Sequence, residues 1–473
     1  MRKLYIITLA VALLGISFSC SKESLDPTLA QSKILKESIN TSEDLYVLMN
    51  GVYNRMTQAT YYGRDLIIFN EVRSDNCFSN GNSGRFVTVA AMALGNSDAY
   101  VTDTWTQIYA VISAANLIIE SASIVEGDQD EINHIKGQAL AVRALAHFDL
   151  LKLFGQQHVT GGDQTLGIPY VTEFKSDNLL PARNTVAQVR TAIETDFSDA
   201  LDLMSEELNY SDPVNLNNPK KQYITTWAVN ALQARVAAYF GDWPAVVTAC
   251  EAVIESEVFD IITKDKYVGI WEDDNPVNSI FELAFSNIDN QNINGLQYIY
   301  RGDNYGDIEV LADLSDLFEQ GDVRGDTLGM IGMEGTKIRN MGKYPSIDYS
   351  DDIFLIRYEE VVLLYAEALY EIDNTDPDAL VWLNKIPENR NATLYTEATK
   401  DNIMLERRKE LAFEGFRFDD LARTQSDIPL VSPLQQTHDG PLYGSYKYAF
   451  PIPRVELNAN SSMVQNFGYS STK

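Results

Sequence analysis

The sequence predicts a mostly α-helical protein, in which a tetratricopeptide-like helical repeat scaffold carries long, loop-rich insertions with short strands. Two stretches, about 60–103 and 260–350, lack helical spacing and are rich in Gly, Asn, Asp and aromatic residues. Irregular stretches of that length in a compact chain are usually functional. We therefore expect 41–473 to form one domain with ligand-binding insertions. Apolar residues recur at helical spacing over about 41–57, 104–155, 185–257 and 356–414.

The first twenty residues predict an export signal that ends at a lipid-modified cysteine. Two basic residues precede an apolar run over 4–18, and small residues stand just before Cys20. The run is too short for a membrane-spanning helix, which needs about 20 apolar residues, but it fits a cleavable signal peptide at 1–19. Cys20 is then the predicted lipid attachment site, and 20–40 a lipid-anchored tether. A plain signal peptide with a chance cysteine is the alternative.

The helical segments carry start and stop signals. Thr41 stands before the first apolar pattern, as helix N-caps do. The segment 223–257 predicts two antiparallel helices, because alanines share one stripe of the first and a Gly-Asp-Trp-Pro break separates it from the second. A helix–turn–helix of about 34 residues with such small contacts indicates a tetratricopeptide unit; a generic αα-hairpin is the alternative. Later helices are predicted at 356–372, 376–386 and 400–414, followed by a loop tail.

Composition argues against several classes of function. The net charge is −30, which disfavours nucleic acid and polyanionic ligands, because a phosphate backbone would be repelled. The four histidines are scattered without metal-ligand spacing. Beyond Cys20 the cysteines are Cys77 and Cys250, which an exported protein could pair. Cys250 lies in a helical apolar pattern, which favours a buried free thiol.

Several strings of residues, taken in order and with their spacing, resemble one known family. They are Trp105 with Tyr109, RALAHF at 143–148, FG at 154–155, RYEEV at 357–361, YAEA at 365–368, ERRKELAFEGFRFDDL at 406–421 and FPIP at 450–453. Together they resemble the SusD/RagB family of outer-membrane nutrient-binding lipoproteins, over nearly the whole mature chain. Local departures are Phe467, Pro387 and an insertion at 156–167.

The resemblance has consequences for fold, location and partner. It implies four tetratricopeptide-like units and a loop-rich ligand face. It implies a lipid-anchored protein on the outer-membrane surface of the cell. It also implies a partner, a TonB-dependent transporter of the SusC type, and binding without catalysis.

Three glutamates of the longest string could carry chemistry. Glu406, Glu410 and Glu414 repeat every four residues, so a helix through 414 would place them on one face. Paired carboxylates can act as general acid and base. The neighbouring arginines, with Arg357, favour a structural ion-pair network instead. We find no nucleophile elbow, phosphate loop or zinc-helix motif, so the sequence predicts a protein that is not an enzyme.

The predicted binding residues lie in the two insertions, since loops on a rigid scaffold carry function. Flat aromatic residues with amide, carboxylate and guanidinium groups suit a neutral sugar. We select Asp75, Asn76 and Arg85 for hydrogen bonds, and Trp271, Tyr298 and Tyr300 for stacking. The wider sets are Tyr61, Tyr62, Arg64, Asp65, Arg73, Phe78, Asn80 and Asn82 in the first insertion, and Tyr267, Asp273, Asp274, Asn275, Asn290, Asn292, Asn294, Arg301 and Tyr305 in the second.

No cofactor is predicted. The run 273–275 could hold calcium, but it lacks the full pattern of hard oxygen ligands, and a solvated acidic turn is favoured. The leading functional hypothesis is a surface protein that captures oligosaccharide or polysaccharide and delivers it to the transporter. The alternatives are a peptide-binding protein of the RagB type and, less favoured, a glycoside hydrolase.

Overall fold

The computed structural model describes residues 38–159, 161–174, 180–212, 216, 218–301, 305–326 and 328–470. The predicted signal peptide, Cys20 and nearly all of the tether lie outside these residues. Within the described ranges, no helix is both long and apolar enough to cross a bilayer.

The described chain is mostly helical, which confirms the predicted fold class. In chain order its elements are α1 (Ser42–Met56), α2 (Asp65–Val72), β1 (Cys77–Ser79), α3 (Val87–Ala90), α4 (Ala99–Ser121), α5 (Gln129–Phe154), α6 (Val186–Leu203), α7 (Thr226–Phe240), α8 (Trp243–Ile254), β2 (Ser279–Leu283), α9 (Leu296–Tyr300), β3 (Ile308–Val310), α10 (Ala312–Ser315), β4 (Ile331–Glu334), β5 (Lys337–Asn340), β6 (Ile353–Arg357), α11 (Tyr358–Ile372), α12 (Pro377–Glu388), α13 (Lys400–Glu410), α14 (Arg417–Arg423) and α15 (Arg454–Ala459).

The long helices pack largely in chain order, as in a helical repeat. α4 lies against α1 and α5, α5 against α6, α7 against α8, and α11 against α8 and α12. One hydrophobic core runs through all of them. The predicted pair at 223–257 is α7 and α8, and Gly241 ends α7 in the left-handed conformation at φ 74°. Glycine adopts that conformation without steric cost, so the chain reverses in a tight turn.

The first helix begins where the sequence predicts. The Thr41 hydroxyl accepts a hydrogen bond from the Asp44 backbone N–H, and the Asp44 carboxylate accepts one from the Thr41 N–H at 3.0 Å. This reciprocal capping box satisfies backbone donors that the first turn of a helix leaves unpaired.

The described strands form three two-stranded antiparallel sheets, which join distant parts of the insertions. β1 pairs with β3, with Phe78 opposite Glu309. β2 pairs with β6 and β4 with β5. The predicted short strands are therefore present, and the β1–β3 pair joins the first insertion to the second.

Three local predictions differ from the structure. The first insertion contains α2, whose eight residues are all buried, the polar ones included; a helix that is buried on every side shows no amphipathic spacing. The predicted 400–414 helix ends at Glu410, because Phe413 and Gly415 take left-handed φ values of 71° and 83°. Gly415 lies so close to Ile67 that an added Cβ would be 2.9 Å from the Ile67 Cα. The predicted loop tail contains α15.

A buried ion-pair network joins α13 to the second insertion and to α11 and α12. Glu410 accepts hydrogen bonds from Arg357 at 3.1 Å and from Arg390 at 2.8 and 2.9 Å. Arg324 donates to Glu410 at 3.2 Å and to Glu406 at 2.6 Å. Glu414 lies beyond the end of the helix, yet its carboxylate accepts a hydrogen bond from Arg357 at 2.8 Å. The predicted structural network is confirmed, although the three carboxylates do not share one helix face.

The two described cysteines, Cys77 and Cys250, are free and buried. This agrees with the free thiol predicted for Cys250. Burial raises the pKa of both thiols, so neither is a reactive thiolate at neutral pH.

We predict that Glu410→Gln destabilises the fold by about 3–5 kcal/mol, because it leaves three buried arginines without their shared carboxylate. Urea unfolding followed by circular dichroism measures the loss. Glu388→Gln, the same change at an exposed position of α12, is the control and should change stability by less than about 0.5 kcal/mol. Equal stabilities for the two variants would contradict a supporting role for the network.

Candidate functional site

The β1–β3 pairing brings polar loops of the two insertions together on one surface. Just after β1, the Asn80 backbone N–H donates to the Asp307 carbonyl at 2.9 Å. The Asp307 carboxylate accepts from the backbone and hydroxyl of Ser83 at 2.9 and 2.8 Å. The loop that carries Arg85 is thereby held against the segment that carries Tyr305.

A cluster of partly exposed tyrosines lies at this junction. The Tyr298 ring stands 5.0 Å from Tyr305 and 6.0 Å from Tyr349, each edge to face. Tyr298 is presented by the short helix α9. Tyr349 has a left-handed backbone with φ 64°, which costs free energy in a non-glycine residue and recurs at binding sites.

Arg85 covers one side of this cluster. Its guanidinium carbon lies 3.9 Å from the Tyr305 ring centroid, a cation–π geometry. Its nitrogens donate to Ser83 Oγ at 2.9 Å and to Asn294 Oδ1 at 3.4 Å. The guanidinium is partly exposed, and these contacts orient it without removing it from solvent.

Amide groups border the tyrosines. The exposed Asn82 donates from Nδ2 to the Tyr305 carbonyl at 3.1 Å. Asn294 accepts from Arg64 at 3.3 Å as well as from Arg85. We name this surface the tyrosine face and define it by Asn82, Arg85, Asn294, Tyr298, Tyr305 and Tyr349. It offers aromatic rings for stacking and oriented amide and guanidinium groups for paired hydrogen bonds.

Of the six selected residues, the structure places Arg85 and Tyr298 on the tyrosine face, within reach of the same ring, Tyr305. Tyr305, Asn82 and Asn294 belong to the wider sets, but nothing in their immediate sequence distinguished them from their neighbours. Tyr349 was missed, although a tyrosine in the polar run 346–352 is a sign of an exposed turn. The ligand-binding role of these residues stays a prediction.

Asp75 and Asn76 do not belong to the tyrosine face. Both are buried, and Asp75 accepts from Arg417 at 2.6 and 2.8 Å. Asn76 Oδ1 accepts from Arg408 at 2.9 Å, and its amide donates to Glu71 at 2.9 Å. Burial raises the pKa of Asp75, and the two guanidiniums more than offset it, so the pKa lies below its ordinary value. The hydrogen-bonding role predicted for both residues is corrected, because these groups tie the first insertion to α13 and α14.

Trp271 and Tyr300 are also buried, which corrects their predicted stacking role. Trp271 is 3% exposed, and Lys343 and Arg357 lie 4.7 and 5.4 Å from its ring. Tyr300 is fully buried and stacks on Tyr344, with a centroid distance of 6.3 Å. Composition does not distinguish an aromatic ring in a loop's own small core from one on its surface.

Comparison with known proteins gives consistent results over most of the chain. Residues 25–237 match a family described as "Starch-binding associating with outer membrane", and residues 336–469 match the SusD family. A SusD-like protein of Formosa agariphila is 24% identical over 98% of this chain and 99% of its own length.

Solved structures agree in fold. A SusD superfamily protein from Bacteroides thetaiotaomicron is 26% identical, with a TM-score of 0.79 over 90% of this chain and 99% of that one. A SusD-like carbohydrate binding protein from Bacteroides vulgatus is 22% identical, with a TM-score of 0.75 over 90% of this chain and 98% of that one.

Asp352 ends the loop that carries Tyr349, and we predict that Asp352→Asn stabilises the protein at high pH. Burial, with the charges of Glu282 and Asp274, raises the pKa of Asp352 to about 7. A raised carboxyl pKa favours folding while the group is protonated, and this contribution is lost as the pH rises from about 4 to 7. Asparagine mimics the neutral form and retains an oxygen that can accept from the Phe285 N–H, bonded at 2.7 Å.

The free energy of unfolding of the Asp352→Asn variant should exceed that of the wild type by on the order of 1–3 kcal/mol at pH 8 and match it near pH 4. Urea titrations across this range measure the difference. Asp348→Asn, at an exposed position of the same loop, should show no such pH dependence. A pH-independent effect of Asp352→Asn would contradict the burial argument.

Proposed function

The chain belongs to the SusD/RagB family, and from that premise we propose that it is a lipid-anchored, cell-surface protein that binds oligosaccharide or polysaccharide. The observation that carries this proposal is the tyrosine face. Tyrosine rings stack on the apolar C–H faces of sugar rings, while amide and guanidinium groups form paired hydrogen bonds with hydroxyls. The face combines both kinds of group on one partly exposed surface.

The charge of the chain favours a neutral glycan. The net charge of −30 repels polyanions. Arg85 is already shared among Ser83, Asn294 and the Tyr305 ring, so it is oriented for hydroxyl groups rather than free to pair with a ligand anion. We therefore propose a neutral saccharide as the ligand.

We propose that Cys20 carries the lipid, and that the protein delivers its ligand to a SusC-like TonB-dependent transporter in the outer membrane. The family that residues 25–237 match is described as associating with the outer membrane, which supports this location. A lipid anchor beside a transporter raises the local concentration of captured ligand, which increases apparent affinity without any new contact.

We further propose that binding is not followed by catalysis. The three signature carboxylates are buried in the ion-pair network: Glu406 and Glu410 are fully buried, and Glu414 is 8% exposed. Arg390 and Arg357 outweigh the effect of burial and hold the pKa of Glu410 well below its ordinary value. A general acid needs a raised pKa and access to the scissile bond. The pKa values of Glu410 and Glu414 are lowered instead, and all three carboxylates are buried.

We predict that Tyr305→Ala lowers glycan affinity about tenfold or more, since it removes a stacking ring and the partner of Arg85. Isothermal titration calorimetry against a panel of neutral polysaccharides measures the change. Arg85→Lys, which keeps the charge but loses the flat guanidinium, should weaken binding by a smaller factor. Tyr370→Ala, at a comparably exposed tyrosine of α11 outside both insertions, is the matched control.

The same panel separates the alternatives. Unchanged affinity in Tyr305→Ala would remove the tyrosine face as the glycan site. Saturable binding of peptides with no glycan signal would replace the carbohydrate ligand by a peptide. Release of reducing ends during incubation with the glycans would contradict a non-catalytic role.

Cys20→Ser tests the anchor. We expect the wild-type protein to incorporate an alkyne-tagged palmitate and to sediment with outer membranes, and the variant to do neither. Cys77→Ser, at a buried free thiol, is the control and should keep the label. Labelling that persists in Cys20→Ser would contradict lipid attachment at this position.

A further inference from the structure

A cavity lies beside the N-terminal half of α1. The second insertion, which carries most of the tyrosine face, contacts the opposite end of this helix. At the C-terminal end of α1, Asn54 donates to Asp289 of the second insertion at 3.2 Å. The cavity instead opens beside the N-terminal half of α1, against the start of α5, and has a volume of about 320 Å³. Its walls include Tyr46, Val47, Glu131, His134, Gln138 and Tyr223. It shares no residue with the tyrosine face.

His134 is the unusual group in this cavity. The residue is 5% exposed, and its Nδ1 has no hydrogen-bond partner among the described residues. Burial, and then the charge of Lys220, lowers its pKa to about 4, so the imidazole is neutral at pH 7 with one donor and one acceptor nitrogen. His134 lines the cavity, so a ligand bound there would contact its neutral ring.

The other walls supply the remaining contacts that a sugar ring needs. Tyr46 and Tyr223 lie 5.4 Å apart with an interplanar angle of 34°, forming an aromatic wall. Gln138 accepts from the Tyr53 hydroxyl at 2.7 Å through Oε1, so its amide nitrogen is the group that can donate to a ligand. Glu131 accepts from the Ser42 hydroxyl at 3.3 Å, which orients its carboxylate.

The charges select the ligand class. Glu43 and Glu131 line the cavity together with Lys220, so an anion would face two carboxylates. A wholly apolar ligand would leave the amide nitrogen of Gln138 unpaired. A volume of about 320 Å³ is at the small end of known ligand sites and suits one or two sugar rings. We propose that this cavity, the His134 pocket, binds the terminal residue of a neutral saccharide as a second carbohydrate site, an inference that rests on the proposed function.

Histidine NMR tests the pocket directly. The chain has four histidines, and His134→Gln identifies the ring signal of His134 in the full-length protein labelled at histidine. The probes are D-glucose, D-galactose, D-mannose and D-xylose. We expect at least one of them to move the His134 signal saturably. Val47→Trp places an indole at the pocket mouth, where Val47 is 67% exposed, and should abolish the movement.

The controls separate this site from the tyrosine face. Val381→Trp, at a 56% exposed position of α12, should keep the full shift, and so should Tyr305→Ala. Val47→Trp should in turn keep polysaccharide affinity at the tyrosine face. A His134 signal that none of the four sugars moves, or that moves equally in Val47→Trp, would overturn the pocket and leave the proposed function intact. Failure of the proposed function would appear instead as unchanged polysaccharide affinity in Tyr305→Ala.

Discussion

The Glu410 carboxylate accepts hydrogen bonds from arginines in three separate parts of the chain. Arg324 precedes β4 in the second insertion, Arg357 ends β6, and Arg390 follows α12. Removing so many charges from water is costly, and the cost is recovered only when every partner is in place with good geometry. The network therefore favours one arrangement of insertion and helices over looser ones. The second insertion keeps its position on the scaffold through this arrangement.

Buried ion pairs also fix the position of the first insertion. Asp75 and Asn76 bind Arg408 and Arg417, which flank the turn between α13 and α14. The β1–β3 ladder then joins the two insertions to each other. Two groups of ion pairs and one sheet thus position the loops that carry the tyrosine face. Its rings can stay partly exposed, because other side chains hold these loops in place.

Sequence reasoning succeeded where one physical pattern dominates. The amphipathic spacing of the long helices, the Thr41 cap and the Gly241 turn are local signals, and each has its predicted structure. α2 was missed because total burial erases the spacing that marks a helix. Four of the six selected site residues are buried, since the choice rested on residue type, and residue type does not reveal which side of a loop faces water. The burial of Trp271 depends on residues that are distant in the sequence, among them Lys343 and Arg357.

The β1–β3 ladder has a consequence for the order of folding. Its paired residues, such as Cys77 and Val310, are separated by more than half the described chain, whereas several helical pairs of the scaffold, such as α4 with α5 and α7 with α8, follow one another directly in the sequence. Contacts between distant residues form more slowly, because closing so long a loop costs entropy before any pairing is gained. The helices can therefore assemble while the tyrosine face does not yet exist. We expect this surface to be completed only after the helical scaffold has formed.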